Sequence, residues 1–544
     1  MADHAVPEGE ERSRPPSNPP TTDREMRGWY MYDFANSPYF NVYSVVIFGP
    51  WYKWLAQSMA AQSKGWDDDD MFQCEFDKYT DSKGEYPWRL DMPGIQLKAG
   101  AMPSFIAFFK VVVQLLSLLS FAAYGDYGPY RKKILMVLTW IACIFIFLNI
   151  CVVSPNMLWL ASLSHVVAGI CFVLVMGYYN AYLPILIENY PLASQDDTQT
   201  RDKFTDTASM KGMLAGQAGG LLLQLVVFVL LLLSECDPCK EQCSTFNIFF
   251  WPALCMSLVG VWWAGFSAYT FRVLGDRPGP PFPDGQNLLT LGWESAITAL
   301  RTCCRLKHTG LFVLVYFLAS DVLSTITATA GLLNEETNPE KEWTTMKSQM
   351  INYLLAQVGG ALGIGIFYLI QRFTGAAAKK LLASQIVVMG IVGIIFVTNL
   401  NSTIGFIASM APITIIMISV QSYCRSMFSC LIPPGQESAM FAFYEISDKG
   451  SNLMGSLITI FVYQVSGQYR MVYWYVLVGS AVCLYVLYFV DVEEGQKACN
   501  AERVAVDAPG ETTADAPSNV GETTVGKATG AETGGDESLE PPTA

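Results

Sequence analysis

The sequence predicts an all-α polytopic membrane protein, with twelve transmembrane helices in two six-helix bundles. Three observations carry this. Apolar residues make up 52% of the 544 and charged residues only 15%, where a soluble domain carries about a quarter charged. Apolar runs of about 20 residues, long enough to cross about 30 Å of hydrocarbon, recur with short polar breaks. A long polar break at 269–308 divides these runs six plus six.

The first segment, 30–60, opens with GWYMYDFANS (from Gly28) and leads into the acidic loop 61–100. Segments 101–124 and 134–153 flank the turn GDYGPYRKK. Segment 158–187 ends in YYNAYLPIL, and 209–233 and 246–268 enclose the break 234–245. Beyond the central connection, which contains DRPGPPFPDG, come 309–333, 349–370, 381–400, 404–430, 438–464 and 471–491. In lipid the backbone must satisfy its own hydrogen bonds, so each segment is a helix. The alternating strands of about ten residues that a lipid-facing barrel needs are absent. The implied organisation is a disordered N-terminal tail (1–26), a first bundle (27–268), a central loop (269–308), a second bundle (309–491) and a disordered acidic tail (492–544).

The net charge of −14 is mostly peripheral. From Val492 onward the tail holds eleven acids and three bases. The membrane body is near neutral, which gives no case for nucleic-acid binding. Bases gather in alternate breaks: Arg131, Lys132 and Lys133, then Arg201 and Lys203, then Arg272, Arg277, Arg301 and Arg305, then Arg372, Lys379 and Lys380. The positive-inside rule places those breaks, and both termini, in the cytoplasm. The first 26 residues lack an apolar core of signal-peptide type, so the first span is expected to direct insertion.

GDYGPYRKK is a tight acidic–Gly turn followed by a basic cluster. In Asp126, Gly128, Arg131, Lys132 and Lys133 it resembles the cytoplasmic loop motif of the major facilitator superfamily. A weaker echo, RFTGAAAKK, follows the eighth segment without the acid. GWYMYDFANS, YYNAYLPIL, RPGPPFPDGQNLLTLGW, LIPPGQESAMFAFYEISDKGSNLMG and VDVEEG narrow the resemblance. Together they look like the vacuolar amino-acid effluxer family, the autophagy-related branch of the major facilitators, over about residues 27–497. The resemblance implies a major-facilitator fold and a multi-pass protein of a vacuolar or lysosome-like membrane. It also implies export of neutral, leucine-like amino acids from an acidic lumen to the cytosol by alternating access. Protons are the implied coupling ion.

A charge inside a span costs about 2.5–3.5 kcal/mol, so it marks function or pairing. Asp321 falls about twelve residues into the seventh segment, near mid-membrane. It is the preferred carrier of a proton or of a substrate ammonium; the structural alternative is a bond to Ser320 or Ser324. Asp33 and Asn36 share one helix face and are gating candidates, although Asp33 also suits a helix N-terminus. Glu445 and Lys449, spaced i,i+4, suggest an ion pair. With Asp448 and Arg425 they form a charge network for a gate, as do Asp126 and Arg131. Asn180 and Tyr179 sit where Pro184 can loosen the helix and free carbonyls for substrate. Gln217 and Gln357 belong to matching Gln-x-Gly-Gly stretches whose small residues allow close helix approach; the sharper alternative is that either amide hydrogen-bonds the substrate. His165 could relay protons or simply pack.

Four cysteines, Cys74, Cys236, Cys239 and Cys243, fall on the predicted lumenal side as disulfide candidates. The C-x2-C-x3-C spacing also suits a metal, but no histidine lies near. Cys303 and Cys304 are weak palmitoylation candidates. The Asn401 sequon sits too close to the membrane for a glycan. No phosphate-binding Gly loop with its Lys is present, which argues against direct ATP coupling. The expected partners are a small-molecule substrate, the bilayer and protons, with no cofactor, no metal and no enzymatic activity. The rival readings are a transporter of this fold for a sugar or organic ion, and a non-transporting scaffold or nutrient sensor.

Overall fold

The computed structural model describes residues 19–62, 89–92, 95–98, 102–191, 198–234, 245–281, 288–337, 346–398, 403–466 and 468–507. The first helical run comprises α1 (Asp23–Pro38), a π-helical segment (Tyr39–Ile47) and α2 (Phe48–Gln62). A short antiparallel hairpin, β1 (Arg89–Met92) and β2 (Ile95–Lys98), pairs Arg89 with Lys98. Then follow α3 (Met102–Phe121), α4 (Tyr130–Phe147), α5 (Leu158–Glu188), α6 (Thr198–Leu233), α7 (Thr245–Val273) and α8 (Leu288–Arg305). The rest are α9 (Lys307–Thr337), α10 (Met346–Thr374), α11 (Ala378–Thr398), α12 (Thr403–Ser429), α13 (Glu437–Ser466), α14 (Val472–Tyr488) and α15 (Val492–Asp507).

The first apolar segment holds α1, the π segment and α2, and each later one overlaps one of these helices. Among the described residues nine runs, those holding α3–α7, α9–α11 and α14, are long and apolar enough to cross a membrane. The α1–α2 run, α12 and α13 fall outside that set, and they carry Asp33, Arg425, Glu445, Asp448 and Lys449.

Two hydrophobic cores form. One gathers residues of the first half, centred on Trp29, Tyr32, Tyr43, Trp51 and Trp263, with Ala442 from the second half. The other gathers residues from Ala299 to Val490, centred on Phe312, Tyr423, Phe428 and Tyr473, with Ala181 and Met210 from the first. Outward faces are apolar too: Leu222, Val226, Val229 and Leu233 on α6 and Leu355, Leu362, Ile366 and Leu369 on α10 are exposed. That suits hydrocarbon, where packing and hydrogen bonds rather than apolar burial drive association.

The two halves meet where α5 packs on α13, α6 on α10 and α12, and α3 on α13. Gly219 is the closest approach of α6 to α1: an added Cβ would collide with the Phe34 carbonyl. The π segment lies between Pro38 and Pro50. Proline removes an N–H donor and crowds the preceding turn, and widening to i→i+5 bonding is a recurrent solution near functional sites.

Several boundaries differ from those read in the sequence. Helix begins at Asp23, capped by Thr22, whose hydroxyl accepts the Glu25 N–H at 3.2 Å. Residues 19–26 are therefore not all tail. The central connection contains the amphipathic helix α8, which packs on α3 and α13. The segment after Val492, expected to be disordered, forms α15 as far as Asp507. Local apolar periodicity with a capping acid outweighed its overall acidity. Pro184 does not interrupt α5, which stays helical through Glu188. Residues up to 503 form one compact unit. Cys74, Cys236, Cys239, Cys243 and Asn401 lie outside the described residues.

Candidate functional site

The described connections 122–129, 189–191, 274–281, 375–377 and 430–436 lie at one end of the alternating helices, the base-rich end. There the GDYGPYRKK turn meets the N-terminus of α13. Gly128 adopts φ +51, a conformation only glycine takes freely. It exchanges backbone bonds with the Pro-rich connection: its N–H reaches Pro280 O at 2.8 Å, and Gly279 N–H reaches Gly128 O at 2.9 Å. Asp126 is thereby aimed at the second bundle. It accepts the Ser438 and Ala439 N–H groups at 2.7 and 2.8 Å and Arg131 Nη2 at 3.0 Å. Arg131 also reaches Glu437 at 3.2 Å and the Ser438 hydroxyl at 3.2 Å. A carboxylate on exposed N–H groups at a helix start is favoured by the helix dipole. Arg131 is 3% exposed, so the triad stands in low dielectric.

A second tier lies deeper. Arg425 on α12 donates to Asp33 Oδ2 at 3.2 Å, to the Ser209 hydroxyl at 3.0 Å and to the Ser209 carbonyl at 2.7 Å. Its guanidinium lies 5.0 Å from the Trp29 ring centroid. Gly212 leaves the room: a Cβ there would sit 2.6 Å from Asp33 Oδ2 and 3.0 Å from Arg425 Nη2. Beside it Asp206 accepts from Ser426 and, at 2.6 Å, from Gln371 Nε2. These bonds tie α1 and α6 of the first bundle to α10 and α12 of the second.

The third tier lies farther along the helices from that end. Asn180 Nδ2 donates to Glu445 at 3.4 Å across the bundles, and Asn180 Oδ1 is buried without a partner. Lys449 bonds Asp448 at 2.5 Å, and Ser320 donates to the other Asp448 oxygen. The i,i+4 pairing expected for Lys449 and Glu445 is thus replaced: the ammonium folds back onto the neighbouring Asp448, oriented by α9, leaving Glu445 to the facing helix. Asn41 in the π segment donates to Gln357 at 3.3 Å, and Gln357 donates to Gln224 at 2.7 Å. The two Gln-x-Gly-Gly stretches face each other. A Cβ at Gly220 would sit 2.7 Å from Gln357 Oε1, and one at Gly360 would sit 3.5 Å from Gln217 Oε1.

Other sequence candidates are placed elsewhere. Asp321 is 1% exposed and accepts from Tyr475 of α14, not from Ser320 or Ser324. Ser324 instead bonds the Asp321 carbonyl. Tyr179 stacks on Trp29 at 4.8 Å and exchanges bonds with it, so it clamps the first bundle internally. Asn36 turns to Met176 Sδ at 3.6 Å and takes no part in the Asp33 pair. His165 meets Lys110 at 2.9 Å.

Sequence reading missed Glu437, Asp206, Ser209, Gln224 and Lys110. It also missed the Glu25–Arg277 pair at 2.7 Å, which pins the N-terminal segment to the central connection. Their signal was faint: isolated polar residues at the ends of or within long apolar runs, whose partners lie 55 to more than 300 positions away. Three tiers of opposite charge and amide spanning two bundles make a breakable seam.

The family profile described as Vacuole effluxer Atg22 like matches residues 21–500. Autophagy-related protein 22 of Chaetomium globosum is 25% identical, with 88% of this chain and 81% of that protein covered. Its counterpart in Botryotinia fuckeliana is 24% identical, with 88% and 90% covered. Among solved structures, the human organic anion transporter MFSD10 (TETRAN) superposes with TM-score 0.56 at 15% identity, covering 87% of this chain and all of that one. The major facilitator superfamily proton:xylose symporter XylE gives 0.53 at 13% identity, covering 88% and 99%. These likenesses establish the major-facilitator fold. With its profile matched from the first helix to α15, this chain belongs to the Vacuole effluxer Atg22 like family of membrane transporters.

Proposed function

We propose that the chain exports neutral, leucine-like amino acids from the acidic lumen of a vacuole-like organelle to the cytosol by alternating access. Both termini then lie in the cytosol, and the structure is the state closed on the cytosolic side. The observation that supports this is the tiered seam: every bond described above between the two bundles lies at the base-rich end or at mid-membrane.

Rocking the bundles must break Asp126 from the α13 N-terminus and Arg425 from Asp33. Cargo bound between the bundles would offset that cost, which makes the seam the gate and the mid-membrane groups the cargo site. Proton coupling fits two carboxylates. Glu445 faces the unpartnered Asn180 Oδ1, and a protonated Glu445 carries the donor that oxygen lacks. Asp321, with Oδ1 unpartnered, is the second. It sits against α14, so its proton would act on packing within the second bundle rather than directly on cargo.

The test is counterflow and pH-driven uptake of labelled leucine in proteoliposomes of the full chain. Leucine flux accelerated by an inward proton gradient is expected. Glu445→Gln or Asp321→Asn should keep counterflow but lose acceleration. A panel in which sugars or organic ions move and no amino acid does would overturn the assignment.

A further inference from the structure

A cation absent from the gate lies at mid-membrane. Lys110 stands in the apolar helix α3, eight residues from its start. Its stem lies across Gly169 of α5: a Cβ there would meet Lys110 Cδ at 2.5 Å and Cγ at 3.0 Å. One turn along, Gln114 donates to the Gly169 carbonyl at 2.7 Å, fixing the register of the two helices. The ammonium meets His165 Nε2 at 2.9 Å. The His165 ring lies flat on Phe48, 3.6 Å between centroids, so it cannot swing away.

No carboxylate bridges Lys110 among the described residues. The acids on facing α13 are engaged: Asp448 by Lys449 and Ser320, Glu445 by Asn180. Lys110 is neither fully buried nor fully exposed. A lysine ammonium has three donors, and His165 takes one. An interior cation with donors to spare and no counter-ion is costly, and an anion brought against it between the bundles removes that cost.

We propose that Lys110, laid over Gly169 and backed by His165, is the subsite that takes the carboxylate of the transported solute. It relies on the transport reading above for the cargo, while its geometry stands apart from that reading. The neutral imidazole accepts one ammonium hydrogen and aims the other two at the carboxylate. Glu445 and Asp448, on α13 packed against α3, would face a substrate ammonium.

The experiment measures ligand-induced thermal stabilisation of the purified full chain in lipid nanodiscs, titrated with leucine, 4-methylpentanoate and 4-methylpentanamide. The carboxylate should stabilise the wild type and the isosteric amide should not. Lys110→Gln should need about 10- to 100-fold more carboxylate, the worth of a charge-assisted hydrogen bond. Lys110→Arg should keep most of the affinity. Gly169→Ala retains the charge but displaces the stem, so it should weaken the carboxylate response and serves if Lys110→Gln does not fold. Wild-type carboxylate affinity in Lys110→Gln or in Gly169→Ala would overturn the proposal. Equal response of the wild type to acid and amide would also overturn it. Lys110-dependent binding of 4-methylpentanoate without any response to leucine would support the subsite while refuting amino-acid cargo.

Discussion

Asp126→Asn changes one charge and almost no volume, and it should unlatch the base-rich end. In the structure both Asp126 oxygens are used, by Arg131 at 3.0 Å and by the Ser438 and Ala439 N–H groups at 2.7 and 2.8 Å. Asparagine offers one acceptor oxygen and turns an NH2 toward a donor. At least one bond to a charged acceptor is lost, worth about 1.5–3 kcal/mol. Arg131 keeps Glu437 at 3.2 Å, so the larger penalty of about 3–5 kcal/mol for stranding a buried charge does not arise. Because the bonds exist only while the bundles touch at this end, the loss falls wholly on the closed state. A shift of 1.5–3 kcal/mol moves the closed-to-open ratio about 10- to 150-fold. Genetically encoded spin labels at Lys133 and Thr374, both exposed and on different bundles, would read the separation by pulsed dipolar spectroscopy. A new long-distance population should appear in Asp126→Asn. A distance distribution identical to wild type in correctly folded Asp126→Asn and in Arg131→Gln would refute the gate.

Arg425→Met strands Asp33 in the interior and should cost about 3–5 kcal/mol, seen as a large fall in thermal stability; Asp33→Asn combined with it should recover most of the loss. Gly219→Ala places a Cβ on the Phe34 carbonyl and should part α6 from α1, lowering stability and flux together, whereas Gly265→Ala, with open space around it, should do neither. Asp491 Oδ1 accepts the Glu494 N–H at 3.0 Å at the start of α15. That N–H holds the Asp491 carboxyl below its usual value. A depressed carboxyl stabilises above its unfolded-state value, and the contribution is lost as pH falls through the folded one. Protease cleavage within 492–507 should therefore rise on acidification below the ordinary aspartate range, and Asp491→Ala should show the raised cleavage already at neutral pH.

The sequence by itself determined the class of molecule. Apolar runs long enough for hydrocarbon, broken by turns with alternating charge, leave the backbone no choice but helix, and that requirement is local. GDYGPYRKK was equally legible, because a positive-φ glycine, an aspartate and a basic cluster within nine residues need no partner to be recognised. What the aspartate does was not legible: Ser438 and Ala439 lie 312 and 313 positions away. Only the tertiary structure brought Arg425 to Asp33, gave Lys449 to Asp448 instead of Glu445, and turned Asp321 toward Tyr475. Lys110 gained a partner only through the fold, where α5 supplied His165 and the close approach at Gly169. Hydropathy is a sum over neighbours in the chain and can be read along it. A buried charge is decided by whichever groups the fold brings within about 4 Å, across distances in sequence that no local pattern spans.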